Sequence, residues 1–160
     1  MARLGCLCGK GMSNSNCPSE DILHVYSKDE IESALQEDPA ITLLDFYAIR
    51  RPYEFWYCHG CGRVHQVNLE RLRVWHTFER LSISEYTASE IDSAWEEIYV
   101  FTDTEIDDIT EKDFSITLSK FMQMRRTFEY WYQPERNIVQ AYSSSDHLLV
   151  FAYKLEVEYE

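Results

Sequence analysis

The chain lacks any run of about 18 apolar residues, the minimum for a helix that crosses a bilayer. Behind Met1-Ala2-Arg3 it lacks the apolar stretch of a secretory leader, so the expected location is the cytoplasm. The common catalytic signatures are missing too: no H-E-x-x-H, no G-x-S-x-G, no P-loop and no G-x-G-x-x-G. Gly9-Lys10-Gly11 is only a fragment of a phosphate loop, because no strand precedes it. None of His24, His59, His65, His76 and His147 sits in a hydrolase pattern, and the expectation is a non-enzyme with no catalytic residues. No internal repeat and no low-complexity linker is expected, which leaves a single domain over residues 1–160.

Basic residues are scarce as well. Fifteen Lys and Arg stand against 28 Asp and Glu, a net charge of −13. The imbalance is local: residues 81–118 hold eleven acids and one base, Lys112. A field of that sign repels phosphates and attracts basic partners. Glu96, Glu97, Asp103, Glu105, Asp107 and Asp108 are therefore the candidate partner-binding residues, the competing reading being a solvated acidic face. The pairs Glu96/Glu97 and Asp107/Asp108 fit a charged surface better than glycosidase carboxylates. Asp103 to Asp108 lacks the glycine and terminal glutamate of a Ca²⁺ loop.

What the chain does have is enough apolar material for a core, 45% hydrophobic and 14% aromatic, and five cysteines. In a reducing compartment these point to metal or free thiols rather than disulfides. Cys58-His59-Gly60-Cys61-Gly62 is a C-x-x-C turn of the kind used in zinc ribbons, and a glycine after the second cysteine allows the positive φ that turns N–H groups toward sulfur. Cys6-Leu7-Cys8-Gly9 offers a tighter C-x-C half. Together Cys6, Cys8, Cys58 and Cys61 make a closed tetrahedral set for a structural Zn²⁺. Cys17, His59 or His65 could replace one ligand, and a redox dithiol at Cys58/Cys61 or metal-free cysteines are the other readings. Four thiolates leave no open position for catalysis, and no deaminase-type H-x-E is present.

The periodicity predicts an α+β fold with a mostly antiparallel sheet, two to three helices and a zinc-ribbon-like knuckle, its elements at residues 1–20 and 53–68. Residues 1–19 read as irregular loop. Ser27 and Glu30 form a capping box for a helix over 28–37. Residues 41–47, 53–57, 64–67 and 70–80 read as strands. A second box at Thr87–Glu90, followed by Ile91, Ala94, Trp95 and Ile98, predicts an amphipathic helix. The segment 102–111 reads as acidic turn, 112–124 as helix and 127–159 as a three-stranded meander.

The opening Arg3-Leu4-Gly5-Cys6-Leu7-Cys8-Gly9, with Ser13-Asn14-Ser15, Val25-Tyr26-Ser27 and the later C-x-x-C-G, resembles the start of small bacterial proteins with a C-x-C-G head. Some of these are similar to immunity partners of polymorphic or contact-dependent growth inhibition toxins. The resemblance implies a protein that neutralises a basic toxin domain, of which nucleases are one kind, and it carries over no functional residues. The rival expectation is a zinc-ribbon regulator associated with nucleic acid through Arg50, Arg51, Arg63, Arg71 and Arg73.

Overall fold

The computed structural model describes residues 3–15 and 18–159. A short hairpin, β1 (Arg3–Gly5) and β2 (Gly11–Ser13), precedes an eight-stranded closed antiparallel barrel. The barrel comprises β3 (Ile22–Ser27), β4 (Tyr53–Tyr57), β5 (Val64–Asn68), β6 (Arg73–Arg80), β7 (Glu96–Thr102), β8 (Phe128–Gln133), β9 (Ile138–Ser143) and β10 (Leu149–Glu158). Its circular order is β10-β6-β5-β4-β3-β7-β8-β9. Helices α1 (Lys28–Glu37) and α2 (Leu43–Tyr47) link β3 to β4, and α3 (Asp103–Lys112) and α4 (Leu118–Met122) link β7 to β8.

That order is a repeat, contrary to the expectation of none. Adding 75 to a residue number of the first half reaches its counterpart in the second. Thr42-Leu43 becomes Thr117-Leu118, Phe46 becomes Phe121, Arg50-Arg51 becomes Arg125-Arg126, and Trp56-Tyr57 becomes Trp131-Tyr132. The backbone repeats too. The left-handed residues Gly62 and Leu72 match Asn137 and His147. Residues 3–80 and 81–159 are thus two β-α-α-β-β-β units, each with a covering segment in front.

The units are related by a pseudo-twofold axis that crosses the barrel wall at two antiparallel seams. In one, Val25 pairs with its own counterpart Val100. In the other, Glu79 pairs with Lys154. The helices obey the same axis: Leu43 N–H donates to the Ile116 carbonyl and Leu118 N–H to the Ile41 carbonyl, both at 2.8 Å, around the Thr42–Thr117 bridge.

Each helix begins where a Ser or Thr side chain accepts a first-turn N–H. Ser27 and Thr102 form capping boxes with Glu30 and Glu105, while Thr42 and Thr117 cap α2 and α4. These helices cover the outer face of β3 and β7. Tyr26, Ile31, Leu43, Phe46, Phe101, Ile106, Leu118 and Phe121 form the larger core there. A second core, with Met12, Ile22, Trp56, Cys58 and Val67, lies under the β1–β2 hairpin on the outer face of β4 and β5.

The helix at 28–37, the strands at 53–57 and 64–68 and the C-terminal meander match expectation. Several segments differ for local reasons. Residues 41–47 form a helix, because Thr42 caps Asp45 and places Leu43 and Phe46 in the core. No helix starts at Thr87: the Gln140 side chain takes both Ser89 N–H and Ser89 carbonyl, and residues 96–102 are claimed by two neighbouring strands. The acidic turn at 102–111 is α3, which ends at Lys112 with Asp113 as its cap, and the rest of the 112–124 segment is helical only over 118–122. Within 70–80 the strand begins at Arg73, after Leu72 turns at φ 49. The supposed loop at 1–19 contains a hairpin.

Leu43 and Leu118 are 2% and 0% exposed at symmetric places. Leu43→Ala and Leu118→Ala should each lower unfolding free energy by about 2–5 kcal/mol. Urea denaturation should find the two losses alike to about 1 kcal/mol.

Candidate metal centre

The C-x-C and C-x-x-C halves sit at the tips of two hairpins. The first is the β1–β2 turn, where Cys6 N–H donates to the Lys10 carbonyl and Gly9 N–H to the Cys6 carbonyl. The second is the β4–β5 turn, where Cys58 N–H donates to the Arg63 carbonyl and Gly62 N–H to the Cys58 carbonyl. Gly9 and Gly62 take φ of 89° and 78°, which closes each turn without a side-chain clash. Met12 and Trp56, 2% and 0% exposed, hold the hairpins against each other.

The four expected cysteines meet there. Cys6 Sγ lies 3.5 Å from Cys61 Sγ and Cys8 Sγ 3.6 Å from Cys58 Sγ. All four sulfurs fall within 4.8 Å of one another. A tetrahedron with metal–sulfur bonds of about 2.3 Å has sulfurs about 3.8 Å apart, so the set could hold a metal ion. None of these thiols is in a disulfide.

The protons on the thiols compete. Burial pushes the Cys6 thiol up to about 12. Burial works the same way on Cys61, but the Arg63 backbone N–H and guanidinium, with Cys6 and Cys8, outweigh it and bring Cys61 down to about 6. Four thiolates this close repel one another unless a cation lies among them.

His65, 2% exposed, stands behind the cluster with Nε2 3.3 Å from Cys6 Sγ and Nδ1 2.8 Å from Thr77 Oγ1. Burial, then the charge of Arg63, lowers its pKa and keeps the ring neutral. A neutral ring with its proton on Nε2 donates to the Cys6 sulfur while Thr77 donates to Nδ1, an outer contact that orients a ligand rather than replaces it. His59 is exposed and bonds the Glu20 carbonyl. Cys17 lies outside the described residues.

The family now follows from the segment that builds this centre. This chain belongs to the DUF8617 family, a domain of unknown function whose model matches residues 2–86. The DUF8617 segment is the first repeat with its hairpin and both knuckles. Neither curated proteins nor solved structures give a match. In the second repeat Gln133 replaces Cys58, and a Pro134–Asn137 turn replaces the knuckle. His65 corresponds to Gln140, and the hairpin corresponds to the segment before β7, which Gln140 ties down through Tyr86 and Ser89.

The expected acidic surface is not gathered in one place. Glu96 and Glu97 open β7, roughly 20 Å of strand away from α3. Asp103 is turned inward, bonded by His24, Tyr47 and the Ser19 N–H. Glu105 caps Thr102 N–H. Asp107 and Asp108 cluster with Glu111 on α3. Among the expected basic residues, Arg51 pairs with Glu30 and Arg63 with Glu156. The His24–Tyr47–Asp103 group ties the two repeats together, and nothing in the spacing of these residues announces it.

Burial alone would raise Asp103, but the bonds from His24, Tyr47 and Ser19 overcome it and hold the carboxyl below its usual value. A depressed carboxylate stabilises the fold above its unfolded pKa, near pH 4, and that contribution is lost as pH falls through the lower folded value. Asp103→Asn should therefore flatten the acid limb of stability below about pH 4, seen as a smaller drop in Tm between pH 5 and pH 2.5 than in the parent.

Proposed function

We propose that this protein is a cytoplasmic binding protein held together by a structural zinc ion, and that it acts as an immunity protein against a basic toxin domain. The observation that carries the zinc assignment is the convergence of two knuckle hairpins, their facing cysteines 50 and 55 residues apart in the chain, on one four-sulfur site. Four sulfur ligands suit Zn²⁺ and leave no place for substrate. Reduced thiols of this kind are at home in a reducing compartment.

Support for the partner is electrostatic. Asp107, Asp108 and Glu111 stand on one helix with no ion pair among the described residues. Acidic faces of this kind speed capture of basic domains. The nucleic-acid reading is weakened, because Arg51 and Arg63 already spend their charge on Glu30 and Glu156.

Protein purified without chelator should carry one zinc per chain by elemental mass spectrometry. Cys58→Ser and Cys8→Ser should lose the metal and lower Tm by several degrees, with Cys17→Ser keeping both. Zinc-free parent protein would refute the metal assignment. For the partner, co-expression with a toxin-like gene beside this one should give protection and a co-purifying complex. Asp107→Lys with Asp108→Lys should slow association about tenfold at low salt. Neither protection nor complex would end the immunity reading.

A further inference from the structure

Both hydrophobic cores lie outside the barrel wall, which leaves the inside to be accounted for. Inward positions alternate with the core positions along every strand. Val25, Phe55, Val100, Tyr130, Phe151 and Tyr153 point inward and are only half-buried, around a cavity of about 570 Å³. An eight-stranded barrel either fills its interior with side chains or holds one small ligand. A space of this size falls in the range of about 300–1,000 Å³ that encloses a small organic molecule.

The pseudo-twofold would make both ends of the lumen alike, yet they differ. At the end marked by Ser27 and Tyr53, Arg51 donates to the Val25 carbonyl, to Glu30 and to the Tyr53 hydroxyl. Its guanidinium also lies over the Tyr26 and Tyr53 rings, at 4.4 and 4.7 Å. This clamp stitches that rim. At the other end Phe128 stands where Tyr53 would be and has no hydroxyl to bond. Arg126, the counterpart of Arg51, lies instead over Tyr99 at 4.2 Å. Thr102, Glu105 and Phe128 line the cavity there, so the lumen opens where the clamp has been lost.

The polar groups in the lumen are also selective. Arg80 stands at the open mouth, 4.5 Å over the Phe151 ring, with no ion pair among the described residues. The hydroxyls of Tyr57, Tyr130 and Tyr153 line the same space and have no hydrogen-bond partner among the described residues. Burial raises the pKa of Tyr130 and Tyr153, which keeps them as O–H donors. The acceptors nearby are already used or face solvent: Gln66 Oε1 bonds His76, Glu105 caps Thr102, and Glu20 is exposed at the rim. An apolar chamber whose unused polar groups are donors and one cation is complementary to an apolar body with one anionic acceptor.

We propose that the barrel lumen binds one small amphipathic carboxylate, its chain or ring inside the wall and its carboxylate at Arg80 and the tyrosine hydroxyls. The proposal is independent of the immunity reading and of the α3 face.

Isothermal titration of the zinc-loaded protein with decanoate and with decanol, both below their aggregation limits, tests it. Decanoate should bind saturably at one per chain, about tenfold tighter than decanol. Arg80→Gln should erase that difference, leaving decanol binding unchanged. Val100→Trp, which fills the lumen, should abolish both while zinc content and circular dichroism stay as in the parent. If Val100→Trp does not fold, Val139→Phe, which lines the same cavity from β9, replaces it, with at least a tenfold loss expected. Absence of saturable binding, binding that persists in a folded lumen-filled variant, or equal affinity for decanoate and decanol would each overturn the proposal. It would also be overturned if neither probe bound and a lumen-filled variant lost affinity for a protein partner, since the lumen would then receive a partner's side chain.

Discussion

Antiparallel pairing of β3 with β7 around Val25 and Val100 is the constraint on which the rest of the structure depends. It sets two four-stranded meanders side by side in opposite directions. Once they are joined there, their far edges β6 and β10 face each other in register and the sheet closes. The same axis brings α2 against α4, so the two backbone bonds around Thr42 and Thr117 do for the helices what the strand ladder does for the barrel. The larger core then belongs to neither repeat alone: Leu43 and Phe46 pack with Leu118 and Phe121.

Within that shared frame the repeats have divided their tasks. Both cover the outer face of their last three strands with the chain that precedes their first strand. The first does so with a hairpin whose cysteines meet those of the β4–β5 turn, and the second with a segment held by the amide of Gln140. A buried His65 in one and a buried Gln140 in the other show one position solving two problems: backing a thiolate cluster, or satisfying the backbone of an irregular cover. Duplication also explains the lumen. Residues that alternate inward on both halves produce a wall that is mostly apolar, and divergence of a single arginine clamp leaves one end open.

The four-cysteine cluster was legible in the sequence because its signal is local: two short cysteine pairs, each followed by a glycine. The β4–β5 hairpin and the capping box at Ser27 were legible for the same reason, while the β1–β2 hairpin was not. The repeat was hidden because its two copies invite different local readings. Ile41–Tyr47 looks β-branched and aromatic, while its counterpart around Leu118 and Phe121 shows a helical stripe, yet both are one short helix. Trp95 and Ile98 imitate a helical period, although Ile98 faces the lumen from β7 and Trp95 precedes that strand. The acidic candidates failed to form one surface because charge counting cannot see that Asp103 serves the fold through His24 and Tyr47. Barrel closure was beyond reach for a similar reason, since it depends on which edges meet.

The seam has a consequence for any fragment of this chain. The DUF8617 segment alone would be a curved sheet with two bare edges, β3 and β6, and an apolar α2 face cut off from α4. Unpaired edges of that kind recruit other strands. Because β3 and β6 are each the counterpart of the strand they normally meet, the nearest complement to such a fragment is another copy of itself, rotated by half a turn. Two of them would rebuild the barrel with a four-cysteine cluster at each end.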